Sequence, residues 1–235
     1  MNNWYFTDKN GKSLYDSNIG IQWILHQAYD TGNYIYNNTP SYIDRKTVKT
    51  VGRIVYGITH NLASYSECKF IDGNSLTGEI QRISWVNLID TPVKKSENED
   101  KWSNMSIVTF HDVESCYEKI NSANAKILIL TGCTMSYLWK NWEKYRNSHL
   151  RKIRFYNADI NYENSHEFSC YVEDPDNTGI KKLIIQVYHP SIATDSLCQS
   201  IISAVNEYYT DRYELLSYDN KDGDWSLYTF QGINI

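Results

Sequence analysis

A histidine, a proline and a serine close an apolar, β-branched run of the chain, Lys182-Leu183-Ile184-Ile185-Gln186-Val187-Tyr188-His189-Pro190-Ser191. A neutral imidazole donates one hydrogen bond and accepts another, so His189 can stabilise negative charge that develops on a leaving group. A second group of interest is Asn87, in Trp85-Val86-Asn87-Leu88. Its side-chain amide offers one acceptor and two donors, a match for the polar edge of a pyrimidine. Ser191 can hold a phosphate through its hydroxyl and backbone N–H at the start of a helix. Each residue also has a plain structural role: a histidine at a surface turn, an asparagine forming a turn, a serine capping a helix.

The elements around these residues follow from periodicity. Lys181–Tyr188 reads as a buried strand, and Ser191 or Thr194 caps a helix from Asp195 to about Tyr209. Ile83–Leu88 is a strand stopped by Asp90-Thr91-Pro92, and Lys126–Gly132 is another, turning at its glycine into a helix from about Thr134 to Ser148. A short helix from Asp112 or Ser115 to Ala123 separates these two strands. Strand, helix, strand is the pattern of a parallel sheet. Ser17 is expected to cap a helix carrying Ile19, Ile21, Trp23, Ile24 and Ala28, and a second helix spans Ile43–Leu62 with Val48, Val51, Ile54, Val55 and Ile58 on one face. Lys94–Asn104 is a charged loop. Residues 150–173 alternate polar and apolar in two runs and read as an inserted strand pair, and 213–235 as a C-terminal elaboration with edge strands.

The 235 residues suffice for one large domain spanning 1–235. A net charge of −5 gives no global positive field, so any nucleic-acid contact must come from a local basic face. Arg151, Lys152 and Arg154 form the densest such cluster, although strand alternation puts the first two on opposite faces. The five cysteines follow no ligand or disulfide spacing, which predicts reduced thiols, a cytoplasmic setting and no metal site. With no apolar run long enough to cross a bilayer, no membrane partner is expected. No Gly-rich phosphate loop or Gly-x-Ser-x-Gly elbow is present, and no cofactor is expected. Twenty tyrosines suit interfaces and base stacking, and AT-rich coding would supply them equally.

Three segments in order, Trp85-Val86-Asn87-Leu88, Ile127-Leu128-Ile129-Leu130-Thr131-Gly132 and Tyr188-His189-Pro190-Ser191, resemble the strand-end motifs of the uracil-DNA glycosylase superfamily. The resemblance covers about Ile83 to Ser191. It implies a three-layer α/β/α sandwich with a mostly parallel central sheet and an extra strand-pair insertion. It also implies a DNA glycosylase acting as a monomer without a small-molecule cofactor on double- or single-stranded DNA, in bacterial or phage repair or defence. The family's first motif, a strand entering Gly-Gln-Asp-Pro-Tyr or Gly-x-Glu-Thr-Asn-x-Trp, is not evident. Asn2-Asn3-Trp4 is similar to the end of the second version, and Leu227–Gly232 is a candidate donor by circular permutation.

On that resemblance, His189 and Asn3 are the catalytic candidates, the first facing the departing base and the second (or Asn2) positioning water. Asn87, Trp4 and Tyr5 bind the base, Ser191, Arg151 and Lys152 hold phosphates, and Ile192 fills the gap left by the flipped nucleotide. The expected activity is hydrolysis of the N-glycosidic bond of a damaged or modified pyrimidine. The alternative is a non-catalytic domain of the same fold that binds DNA or a protein, and a third reading is an unrelated α/β protein serving a protein partner.

Overall fold

The computed structural model describes residues 6–29, 46–93, 118, 120, 121, 123–131, 150–157, 160, 168–173, 182–190 and 193–215, without the side chains of 26–29, 87–93, 150–152 and 173. Seven strands form one sheet: β1 (Ile21–Tyr29), β2 (Ser84–Val93), β3 (Ile127–Thr131), β4 (Leu150–Phe155), β5 (Phe168–Glu173), β6 (Lys182–Val187) and β7 (Tyr213–Leu215). Their order is β2-β1-β3-β6-β5-β4-β7. The β2/β1, β1/β3 and β3/β6 pairs are parallel, and the β6/β5, β5/β4 and β4/β7 pairs antiparallel. Five strands therefore run one way, with only β5 and β7 reversed. The 150–173 pair lengthens the central sheet itself, and β7 adds the edge strand expected after Tyr213.

Residues 21–28, read from sequence as a helix, are a strand. Ile21, Trp23 and Leu25 join the main core, whereas Gln22 and Ile24 take the other face; all five are buried. Burial on both faces removes the polar alternation that marks a half-exposed strand, leaving a run that mimics helical spacing. Gly20 sets the entry: its φ is +62°, its carbonyl accepts from Lys126 N (2.8 Å) and Ile127 N (3.0 Å), and an added Cβ would lie 3.2 Å from Lys126 N. A glycine is needed because the turn is left-handed and β3 passes close by.

Strand β2 continues through Asp90-Thr91-Pro92 rather than stopping there. The register slips between Gln27↔Ile89 and Tyr29↔Val93, so β2 carries a bulge, and β2 is an edge strand. Those are the two places where a sheet tolerates a proline that cannot donate.

Helices α1 (Lys46–Thr59), α2 (Tyr65–Cys68), α3 (Asn74–Gln81) and α4 (Asp195–Tyr209) complete the described elements. Val48, Val51, Ile54, Val55 and Ile58 of α1 and Leu197, Ile201, Ile202 and Val205 of α4 pack on the face formed by Trp23, Trp85, Ile129 and Ile185. The opposite face is buried too, at Ile24, Val86, Leu130 and Ile184. Helices α2 and α3 were not expected from the sequence, although Ser64 and Glu67 form a reciprocal capping box around α2. Gln199 of α4 donates to Ala63 O (3.0 Å) and accepts from Tyr65 N, and Lys69 pairs with Asp195, fixing the first half of α4 against α2.

At the amino ends of β1 and β2, Arg82 donates to Asp16 (2.9 Å) and pairs with Glu79 (3.3 Å), whose other oxygen accepts from Thr59 (2.9 Å). The Arg82 hydrogen bond holds the Asp16 carboxyl below its ordinary value. Asp16 therefore contributes stability that is complete above its unfolded value of about 3.9 and is lost as pH falls through the folded one. Arg82→Ala is expected to cost about 1–2 kcal/mol in a urea melt at neutral pH, by leaving the buried Glu79 carboxylate with one hydroxyl partner. The part of that loss due to Asp16 should shrink as pH falls below the unfolded carboxyl value.

Candidate functional site

In an open α/β sheet ligands bind beyond the carboxyl ends of strands, where the strand order reverses. Here β1 is followed in the chain by β2 on one side of it and by β3 on the other, so the reversal lies between β1 and β3. The Thr131 hydroxyl donates to Ile24 O (2.9 Å) in a buried bond, clamping the last residue of β3 onto β1 beside that point.

Strand register fixes how the ends meet. Asn87 pairs with Leu25, and Thr131 with Val187; extending the Ile24↔Leu130 register puts all four in one row across the sheet. Beyond it β3 and β6 stop, while β1 runs on to Tyr29 and β2 to Val93. The four extra residues of β1 rise ~13 Å, which makes a step in the carboxyl edge of the sheet.

His189 follows β6 on the low side of that step, two positions past Val187. It is half-buried, and desolvation pushes its imidazole below the usual histidine range, because burial disfavours the charged ring. At neutral pH the ring is uncharged, the form that donates one hydrogen bond and accepts another. Pro190 is buried. Thr194, not Ser191, caps α4, its hydroxyl accepting from Leu197 N at 3.2 Å.

Asn87 shares His189's end of the sheet, but it lies mid-strand in β2 and three strand spacings from β6, about 14 Å. Arg151 and Lys152 are in β4, on the far side of β6 and β5 from β1. Asn3, Trp4, Tyr5, Ser191 and Ile192 lie outside the described residues, as do the expected loop at 94–104, the 134–148 helix and the 227–232 segment; of the short helix before Ala123, Glu118, Ile120 and Asn121 are helical. What sequence reasoning missed is the carboxyl end of β1, His26-Gln27-Ala28-Tyr29, with Asp30 next in the chain. Once residues 21–29 are a strand, that end becomes the central one of the three at the reversal.

No group of three or more metal-ligating side chains occurs among the described residues. Nor is any described helix long and apolar enough to cross a membrane. No protein-family model matches the chain, and no curated protein matches it either.

Proposed function

We propose that this chain is a DNA glycosylase of the uracil-DNA glycosylase kind, hydrolysing the N-glycosidic bond of a damaged or modified pyrimidine. The observation that carries the proposal is the uncharged, half-buried imidazole of His189 at the carboxyl end of β6, near the reversal of strand order. Breaking an N-glycosidic bond leaves negative charge on the base and cationic character on the sugar. A neutral donor at the base oxygen is worth more as that charge grows, which lowers the barrier rather than only tightening binding.

Further support comes from β1. The family pattern calls for a strand leading into a water-activating carboxylate, and β1 supplies a central strand upstream of β2 with Asp30 immediately after it. In this reading Asp30 takes the water, and Asn3 assists in positioning it. Trp4 and Tyr5 stack on the flipped base, and Ser191 and Ile192 hold the phosphate and fill the vacated stack. Asn87, three strands from β6, would form the far wall of the site. Arg151 and Lys152 are level with Leu183 and Ile184 near the amino end of β6, the opposite end from His189, and have no part in this reading of the site.

The test is to incubate the chain with single- and double-stranded DNAs carrying uracil or 5-substituted pyrimidines and to score abasic sites. Product from at least one substrate is expected. Tight DNA binding with no product from any of them would identify a non-catalytic DNA-binding domain instead.

A further inference from the structure

The face of the sheet turned away from α1 and α4 is apolar around β6: Leu130, Tyr171 and Ile184 are all buried there. Two polar side chains interrupt it. Gln186 on β6 and Ser169 on β5 are directly opposed in the antiparallel register, which puts their Cβ atoms about 5 Å apart. Their neighbours Phe168, Cys170, Ile185 and Val187 join the main core, so alternation assigns Gln186 and Ser169 to the other face. Gln186 is 9% exposed and Ser169 8%. Neither side chain makes a hydrogen bond or ion pair among the described residues, and neither is among the polar atoms sealed from solvent. Each therefore keeps a little contact with solvent on an otherwise apolar stretch of this sheet face.

A carboxamide with no protein partner that still reaches solvent is available to a ligand. Apolar walls with a few placed polar groups are the composition of small-ligand sites. Gln186 lies three positions before His189, at the same strand end. We infer that Gln186 reads the hydrogen-bonding edge of a pyrimidine base, with the opposed Ser169 hydroxyl bonding its carboxamide once a base is bound. The carboxamide presents one donor and one acceptor side by side, and a pyrimidine offers the complement across its ring nitrogen and adjacent exocyclic group. An oxo base with a ring N–H and an amino base with a bare ring nitrogen need opposite amide orientations. One serine hydroxyl can fix either, because it both donates and accepts. The inference takes its ligand class from the glycosylase reading, while the opposition of Gln186 and Ser169 stands without it.

The experiment is calorimetric titration of the whole chain with free uracil and with free cytosine, alongside the abasic-site assay and thermal melts. The wild-type chain is expected to bind one of the two bases in preference to the other. Gln186→Leu should weaken that binding roughly 10- to 100-fold, the discrimination of one bidentate edge contact, with Tm unchanged or raised. Gln186→Met, unbranched and close in length, guards against misfit of the leucine. Ser169→Ala should narrow the preference between the two bases with little change in Tm. Equal base binding by wild type and both Gln186 variants, or a fall in Tm that accounts for the lost binding, would overturn the inference. The two readings fail separately. Gln186-dependent base binding with no abasic product keeps this site and sinks excision, whereas excision whose base preference survives Gln186→Leu keeps the enzyme and sinks this site.

Discussion

His189→Ala is expected to lower the excision rate by about 10²–10³-fold while leaving DNA affinity and Tm near wild type. That is the magnitude associated with removing one preorganised donor from a developing oxyanion. The pH profile supplies the sharper readout. Burial lowers the His189 pKa, so the donor-competent neutral ring persists below the ordinary histidine value of about 6.5. Activity assigned to the neutral ring should hold through pH 6.5 and fall only at lower pH, and that limb should vanish in His189→Ala. Stability carries the same sign. The unfolded chain takes up the proton first, so stability is full above the unfolded value and declines as pH falls through the folded one. His189→Gln keeps a donor without a titration and should recover part of the rate with a flat profile in this range. A wild-type limb centred at or above pH 6.5, or an alanine variant as fast as wild type, would remove the histidine from the chemistry. Asp30→Asn, measured alongside, should lose rate without moving the histidine limb if water activation resides there.

How much of this is legible in the sequence depends on what surrounds each element. Strands β3 and β6 were readable because their apolar runs are short, rich in isoleucine and bounded by turn residues. Helix α1 was readable because Val48, Val51, Val55 and Ile58 recur at helical spacing on one buried face. The same logic misjudged Ile21–Tyr29, since a strand buried on both faces carries no alternation and Ile21, Trp23 and Ile24 fit a helical stripe equally well. The strand at the reversal of chain order is therefore not legible from local sequence, which offers only Asn2-Asn3-Trp4 and Leu227–Gly232 as places for the first motif. Asn87 shows the complementary limit. Its strand was found, but its place in the sheet, across β1 and β3 from β6, depends on pairings that local sequence does not encode. Gln186 carries no signal within its apolar strand, since a lone polar residue there is informative only once its partners are known.

The second large effect concerns how α4, and with it the segment after His189, is seated. Gly57 lies where α1 crosses α4: a Cβ added there would fall 2.4 Å from Ile202 Cδ1 and 3.1 Å from its Cγ1. Helix propensity alone favours alanine over glycine by about 1 kcal/mol, so an exposed Gly→Ala change would stabilise. At this crossing overpacking opposes it at roughly 1–3 kcal/mol, because Ile202 is fully buried and has little room to turn. Gly57→Ala should therefore destabilise by about 1 kcal/mol, and Gly57→Val, with two more methyl groups and a stiffer χ1, by about 3 kcal/mol. The assignment rests on a single terminal carbon, which Ile202→Val deletes at a cost of about 1 kcal/mol by itself. Combining Ile202→Val with Gly57→Ala should give a loss smaller than the sum of the two, by about 1 kcal/mol of coupling in urea melts. Strict additivity would mean that Gly57 is retained for some reason other than the approach of α4. Because α4 is capped only five residues past His189, Gly57→Val should also depress excision, but in proportion to the folded fraction. His189→Ala separates the two contributions, since it removes rate while leaving the melt unchanged.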